Sequence, residues 1–423
     1  MKHEMRLEMK SFGKQLWRWT RGISVLGFGI LGITMLARAI QNFTLETAQV
    51  GHEAHRAQGQ FGVENLADVP WTLTPAYAAS GEEKLEFAVA DAPYQPNRAG
   101  LDDYHCFVID PKHTRDVMVT GVQITPDNKR IVHHAILFKL EGSAKREALE
   151  KDKASGGNGW TCFGGPGVGG PTTAAGAWLG AWVPGVGDGH FPDGVGVSLP
   201  KGAIVVMQMH YNLANESGPD RSRVALTIAP EGQQLLALKS QLQIAPVELP
   251  CADGLSTPAC DREAIIRDNV AKFGQRASLL PKALLAICGQ KLETYTQPVG
   301  DASRVSSTCE RRAKDDVTIR SVAGHMHLRG QDIKLELIPA VGATKTLLHI
   351  PKWDFHWQGN YWFKNPVEVK RGDALRITCT YDNSIANQPV IADRPLEPRY
   401  VVWGEGTTDE MCLGVMMVSA KQN

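Results

Sequence analysis

The chain has 423 residues, 43% hydrophobic and 21% charged, with a formal net charge of +0. That length exceeds the usual span of one hydrophobic core, so two domains are expected. No basic stripe and no interleaving of basic with aromatic residues is present, which argues against a nucleic-acid partner.

Residues 1–39 hold seven Lys and Arg against Glu4 and Glu8, so the remainder of the chain is net acidic. A basic stretch through Arg21 precedes an apolar run from Ile23 to Leu36, then the small-x-small pattern Ala37-Arg38-Ala39. So short a run suits a cleaved secretory signal better than a membrane span, which needs about 20 residues. A retained signal anchor over residues 23–37 is the alternative reading. Either places the body of the protein outside the cytoplasm, periplasmic or secreted, with membrane contact only through an uncleaved anchor. Residues 40–85 are polar and irregular and read as a linker or arm.

From residue 86 short β-type runs alternate with Gly/Pro turns, as in an antiparallel sandwich that extends to residue 244. Residues 164–196 are rich in glycine. GGPGVGG lacks a following Gly-Lys-Ser/Thr, and Pro166 and Pro171 oppose a helix start, so long sandwich loops are favoured over a phosphate loop. The segment 245–315 breaks the β pattern. Asp261 can cap a helix with apolar positions Ile265, Ile266, Val270 and Phe273, and Leu279 to Ile287 can form another. From 316 to 423 strands resume, with alternation in IKLELI and LRITCTY. The expected fold is mainly β: two antiparallel, jelly-roll-like sandwich domains around a small helical insert.

Eight cysteines in an exported chain without any C-x-x-C read as disulfides rather than zinc ligands. Cys251, Cys260, Cys288 and Cys309 lie in the insert. Proximity suggests Cys251–Cys260 and Cys288–Cys309, one of the three pairings open to four cysteines.

Five histidines and a methionine carry the chemistry. His133 and His134 lie in KRIVHHAILF, His210 in VVMQMHYN, His325 and His327 in AGHMHLRG, and Met411 in TTDEMCLG. Thioether ligation selects copper, above all copper(I), while imidazole suits both copper oxidation states. Three histidines at one site and two histidines with methionine at another would give two copper centres of different redox preference. Residues i and i+2 on a strand face the same way, so His325 converges with His327, and Gln208 with His210. His133 and His134 can share a metal only where their strand ends or bulges. His105, His113, His190, His349 and His356 lack a paired context, and His3, His52 and His55 fall in the signal or arm. None of these is expected to bind metal. Trp353, Trp357, Tyr361 and Trp362 in WDFHWQGNYWF read as sandwich core and rim.

The motifs DYHCFVIDP, VHHAILF, TCFGG, VVMQMHYN, GHMHLRG, LRITCTYDNS and WGEGTTDEMC occur in this order between Asp103 and Met417. Together they resemble the copper type II, ascorbate-dependent monooxygenases, the family of peptidylglycine α-hydroxylating monooxygenase and dopamine β-monooxygenase, and especially bacterial relatives. The resemblance implies that His133, His134 and His210 hold an electron-transfer copper. It likewise implies that His325, His327 and Met411 hold the copper that binds oxygen, with Gln208 beside the electron-transfer site. Disulfides Cys106–Cys162 and Cys379–Cys412 follow from the same resemblance.

The implied reaction inserts one atom of O2 into a C–H bond of a small organic substrate and reduces the other to water. Two coppers per chain and an external electron donor, ascorbate or another one-electron reductant, would supply the electrons. In amidating members of the family an arginine two residues before the His-x-His pair, and an asparagine and a tyrosine after Met-Cys, hold the substrate carboxylate. Ala323, Leu413 and Val415 occupy those positions here, and Arg329 is a possible substitute. A less polar or uncharged substrate is therefore expected. A non-enzymatic copper-binding protein on the same fold, or a zinc hydrolase built on the histidine triad, are the rival readings.

Overall fold

The structure is a computed structural model that describes residues 81–421, except 99, 170–176, 185–188, 253–254, 297–303, 356 and 392. The signal over 1–39, nearly all of the arm over 40–85, and His3, His52, His55 and His356 lie outside the described residues. The chain is mainly β, with antiparallel sheets and few helices. No helix among the described residues is long and apolar enough to cross a membrane.

A five-stranded antiparallel sheet runs in the order 160–161, 102–109, 204–212, 132–140, 178–182. Its central strand, Ile204–Asn212, is buried at every residue but the last. Such a near-continuous apolar run fits a strand covered on both faces. One face, through Phe107, Leu137, Met207 and Tyr211, forms the first core with residues of a larger sheet such as Val119, Val197 and Leu226. The other face, through Phe138, Leu140, Ile204 and Val206, packs under Ala148 of the helix Gly142–Ala154 and the Cys106–Cys162 bridge. That helix is absent from the sequence reading, which has only strands there.

The larger sheet has eight strands, in the order 83–88, 223–228, 117–125, 195–199, 236–244, 413–420, 317–325, 360–369. Between named strands one pairing is parallel, Leu236 and Ala237 beside Val195 and Gly196. A four-stranded sheet, in the order 304–312, 374–382, 330–338, 345–350, completes a second sandwich. Ile319, Val322, Met416 and Val418 of the larger sheet meet Ile333, Leu335 and Ile377 there. Leu238 pairs with Ser419 and faces the first core, whereas Met416 and Val418 face the second. Because side chains alternate along a strand, the one sheet offers opposite faces to the two cores.

The insert is helical where its sequence predicts. Arg262–Phe273 starts on Asp261, whose side chain accepts from the backbone N–H of Glu263 and Ala264. Such a cap is worth about 1 kcal/mol. A second helix spans Arg276–Ile287 and a short one Glu293–Thr296. Arg262 pairs with Glu248, which Tyr400 also contacts, and this buried group fastens the first helix to the strands below. All eight cysteines are bridged, as Cys106–Cys162, Cys251–Cys260, Cys288–Cys309 and Cys379–Cys412.

Candidate metal centres

The strand 132–140 breaks its register with 204–212 where a shared metal would require it. Val132 pairs with Tyr211 and His134 with His210, so two steps on one strand match one on the other. This bulge at His133 relieves the alternation that would otherwise send neighbouring imidazoles to opposite faces. His133, His134 and His210 consequently meet through one edge. Their Nδ1 atoms lie 3.2 Å (His133 to His210), 3.3 Å (His133 to His134) and 3.3 Å (His134 to His210) apart. These three residues form a group able to hold a metal ion.

The rings are fixed from behind. His210, only 1% exposed, is hydrogen-bonded at Nε2 to Asp102 Oδ1 at 2.8 Å. The Tyr104 ring stacks on His210 at 4.1 Å and 11°. Burial, followed by the neighbouring histidines, holds His134 well below the usual imidazole range, so its lone pair is free of a proton. Burial also pushes the Asp102 carboxyl up, but bonds from His210 and Thr407 outweigh it and leave the group below its ordinary value. Gln208, on the same face two residues before His210, is buried and donates to the Gly165 carbonyl at 3.0 Å.

His325 ends its strand, and His327 lies just beyond it, before the turn at 328–329. The two imidazoles converge, with centroids 5.1 Å apart, while Met326 between them is buried in the second core. Here the Nδ1 edges are the ones tied back. Gln358 Oε1 takes His325 Nδ1 at 2.5 Å, and the Asp409 carbonyl takes His327 Nδ1 at 3.0 Å. The Nε2 edges are left for a ligand. Burial lowers His325 to about 4 and His327 to about 3, so both are neutral near pH 7. The ladder between these strands ends with His325 opposite Leu413, two residues after Met411. Met411 is buried, with its carbonyl accepting from Tyr381. The Glu410 carboxylate accepts from the backbone N–H of His327, Arg329 and Met411, fixing the turn, and burial raises it to about 7.

The two sets adjoin. His134 and His325 have centroids 6.4 Å apart. Phe355 lies between the sets, stacked on His133 at 4.7 Å and edge-on to His327 at 5.9 Å. The face of the eight-stranded sheet around His325 is apolar, with Ala323 beside Val415 and His325 beside Leu413. Arg329 cannot serve a substrate there. It is fully buried, and its guanidinium is spent on Asn383, Gln388 and the Thr408 carbonyl.

The other described histidines stand apart from both sets in their bonding. His105 bonds Tyr94 and the Asn158 carbonyl, His113 the Pro200 carbonyl, and His349 Asp332. His190 forms a bridge with Gly121. The sequence reading missed Asp102, Gln358, Phe355 and Thr407. Asp102 directly precedes a recognised motif, and Gln358 and Phe355 sit in the aromatic run assigned to core and rim.

Residues 288–420 match the family model for the C-terminal domain of copper type II ascorbate-dependent monooxygenases. The match is confined to that part of the chain. The matched segment includes His325, His327, Met411 and the Cys379–Cys412 bridge, and the three-histidine set lies outside it. No curated protein matches the chain. Among solved structures, a Paenibacillus xanthan lyase is 10% identical with a TM-score of 0.16, covering 85% of this chain and 26% of its own. The chain thus spans about a quarter of that protein. The STIV MCP is 8% identical with a TM-score of 0.20, covering 71% of this chain and 96% of its own. Similarity at that level carries no argument about function.

Proposed function

We propose that the chain is an exported copper-dependent monooxygenase, periplasmic or secreted, that hydroxylates a C–H bond of an uncharged organic substrate. Substrate, O2, two electrons and two protons would give alcohol and water, with ascorbate or another one-electron reductant as donor. Copper bound at the two sets would supply one electron each and, at the second, the position where O2 binds. The observation that carries this reading is the convergence of three histidine Nδ1 atoms beside a second, oppositely tethered histidine pair.

In this proposal His133, His134 and His210 hold the first copper through Nδ1. His325 and His327 hold the second through Nε2, with the Met411 thioether favouring its reduced state. Asp102, Gln358 and the Asp409 carbonyl occupy the other ring nitrogens and so set which atom binds, as outer partners of metal-bound histidines do. Gln208 is kept as part of the wall of the first centre. The low polarity around His325 excludes water from the reacting end. It also disfavours a carboxylate, since an ionised group desolvated without a partner is costly. The substrate is therefore not a glycine-extended peptide, because Ala323, Leu413 and Val415 offer no charge and Arg329 is saturated.

Elemental analysis after copper loading and desalting is expected to find close to two coppers per chain. A firm value of one, or preferential retention of zinc, overturns the two-copper reading. Copper-dependent hydroxylation of acylated glycine peptides, with a strong preference for the free carboxylate over its methyl ester, overturns the substrate class.

A further inference from the structure

The loop Gly404–Met411 belongs to the second sandwich but is bonded to both histidine sets. At its start, the Glu405 carbonyl accepts from Tyr104, and the Glu405 carboxylate from the Gly164 N–H. Next, Thr407 reaches Asp102 twice, from Oγ1 to Oδ1 at 2.5 Å and from the backbone N–H to Oδ2 at 3.1 Å. Asn212 Nδ2 donates to the same hydroxyl at 3.2 Å. Asp102 is the carboxylate that holds His210, and its side chain is only 8% exposed. One buried group therefore receives a histidine of the first set and the loop that ends in Met411.

We infer that Asp102 and Thr407 are positioning residues that tie copper(I) binding at the His325–His327–Met411 centre to the seating of His210. The inference rests on the two-copper reading above. No slack lies between Thr407 and Met411. Arg329 Nη1 holds the Thr408 carbonyl, His327 Nδ1 holds the Asp409 carbonyl, and Glu410 holds three backbone N–H groups. A displacement at Thr407 is therefore carried to His327 and Met411 instead of being absorbed by the loop. The bonds from Tyr104, Gly164 and Asn212 also cross between the sandwiches, but none of them ends on a candidate ligand. Tyr104 stacks on His210, but among these contacts Asp102 is the one that hydrogen-bonds an imidazole of the first set.

The test uses the full chain loaded with copper, with Thr407→Val, Asp102→Asn and, as control, Met411→Ile. Copper(I) affinity is read by competition with bicinchoninate, the Met411 bond by the Cu–S contribution to copper(I) X-ray absorption, and the first centre by copper(II) EPR. Thr407→Val keeps the shape and the backbone bond to Asp102. It is expected to weaken copper(I) at the Met411 centre roughly fivefold, the equivalent of one hydrogen bond, with the EPR signal unchanged. Asp102→Asn is expected to alter the EPR signal and weaken the Met411 centre by about tenfold or more, as loss of an outer partner does. Wild-type copper(I) affinity and Cu–S signal in both variants would overturn the inference. Should Asp102→Asn fail to fold, wild-type affinity in Thr407→Val alone has the same force. A wild-type chain that binds one copper, or a Met411→Ile control that keeps the Cu–S signal, instead sinks the two-copper reading on which the inference stands.

Discussion

The three-histidine set and the His325–His327 pair use the same side chain but grip it by opposite edges. In the first set Nδ1 points inward and Nε2 of His210 is tied to a carboxylate. In the second, Nδ1 is tied to an amide oxygen and a carbonyl, which leaves Nε2. The scaffolds differ correspondingly. A bulge inside a sheet turns two adjacent residues to one side, whereas the end of a strand lets an i, i+2 pair converge without distortion. At His210, His325 and His327 the tether, and not the histidine, decides which nitrogen is offered. A charged tether and a neutral one also leave the ring with different donor strength.

Removing a ligand gives the largest expected effect on this contrast. His210→Ala should lower copper(II) affinity at the first set by ~100-fold or more, beyond what losing an outer partner costs. Copper content should fall from two to one with the Cu–S signal retained, and retention of two coppers would break the assignment. Met411→Ile should do the reverse. Such an apolar swap usually costs less than about 1.5 kcal/mol in stability, so the fold and the first copper's EPR signal should persist while oxygenation is lost. Turnover at the wild-type rate would remove Met411 from the ligand set.

Gln358→Ala probes the neutral tether alone. It should weaken copper(I) at the second centre by about tenfold and leave the first untouched, which competition titration can read. Equal weakening at both centres would mean that the aromatic loop holds the two together.

The smallest effect is on pH-dependent stability. Desolvation raises Glu405 to about 7, above the ordinary 4.5, despite its bond from Gly164. The folded protein then keeps a proton that the unfolded chain has released, so this group makes stability fall as pH rises through that window. Glu405→Gln should lack this contribution. Its stability relative to wild type, measured by denaturant midpoints at pH 5 and pH 8, should increase with pH, and a constant difference would place the charge elsewhere.

Much of this was legible in the residues because it depends on local pattern. The i, i+2 spacing of His325 and His327, the need for a bulge at His133, and the Asp261 cap are all short-range statements, and the fold bears them out. The helix Gly142–Ala154 was not legible, since it buries only Ala148 and is largely polar. Nor was the shared sheet, because the pairing of 236–244 with 413–420 joins distant segments with nothing local to announce it. Asp102 and Gln358 escaped for a related reason. Which acceptor meets the back of an imidazole depends on how separate strands and loops are stacked. Arg329 looked like a free charge beside a ligand, and only packing reveals that its donors are already used.

The placement of the strand Leu413–Ala420 bears on how the protein matures. It lies between 236–244 and 317–325, so a strand late in the described chain fills a gap in the middle of the large sheet. Until it arrives, the sheet is two fragments, each with a bare hydrogen-bonding edge of the kind that invites pairing with other chains.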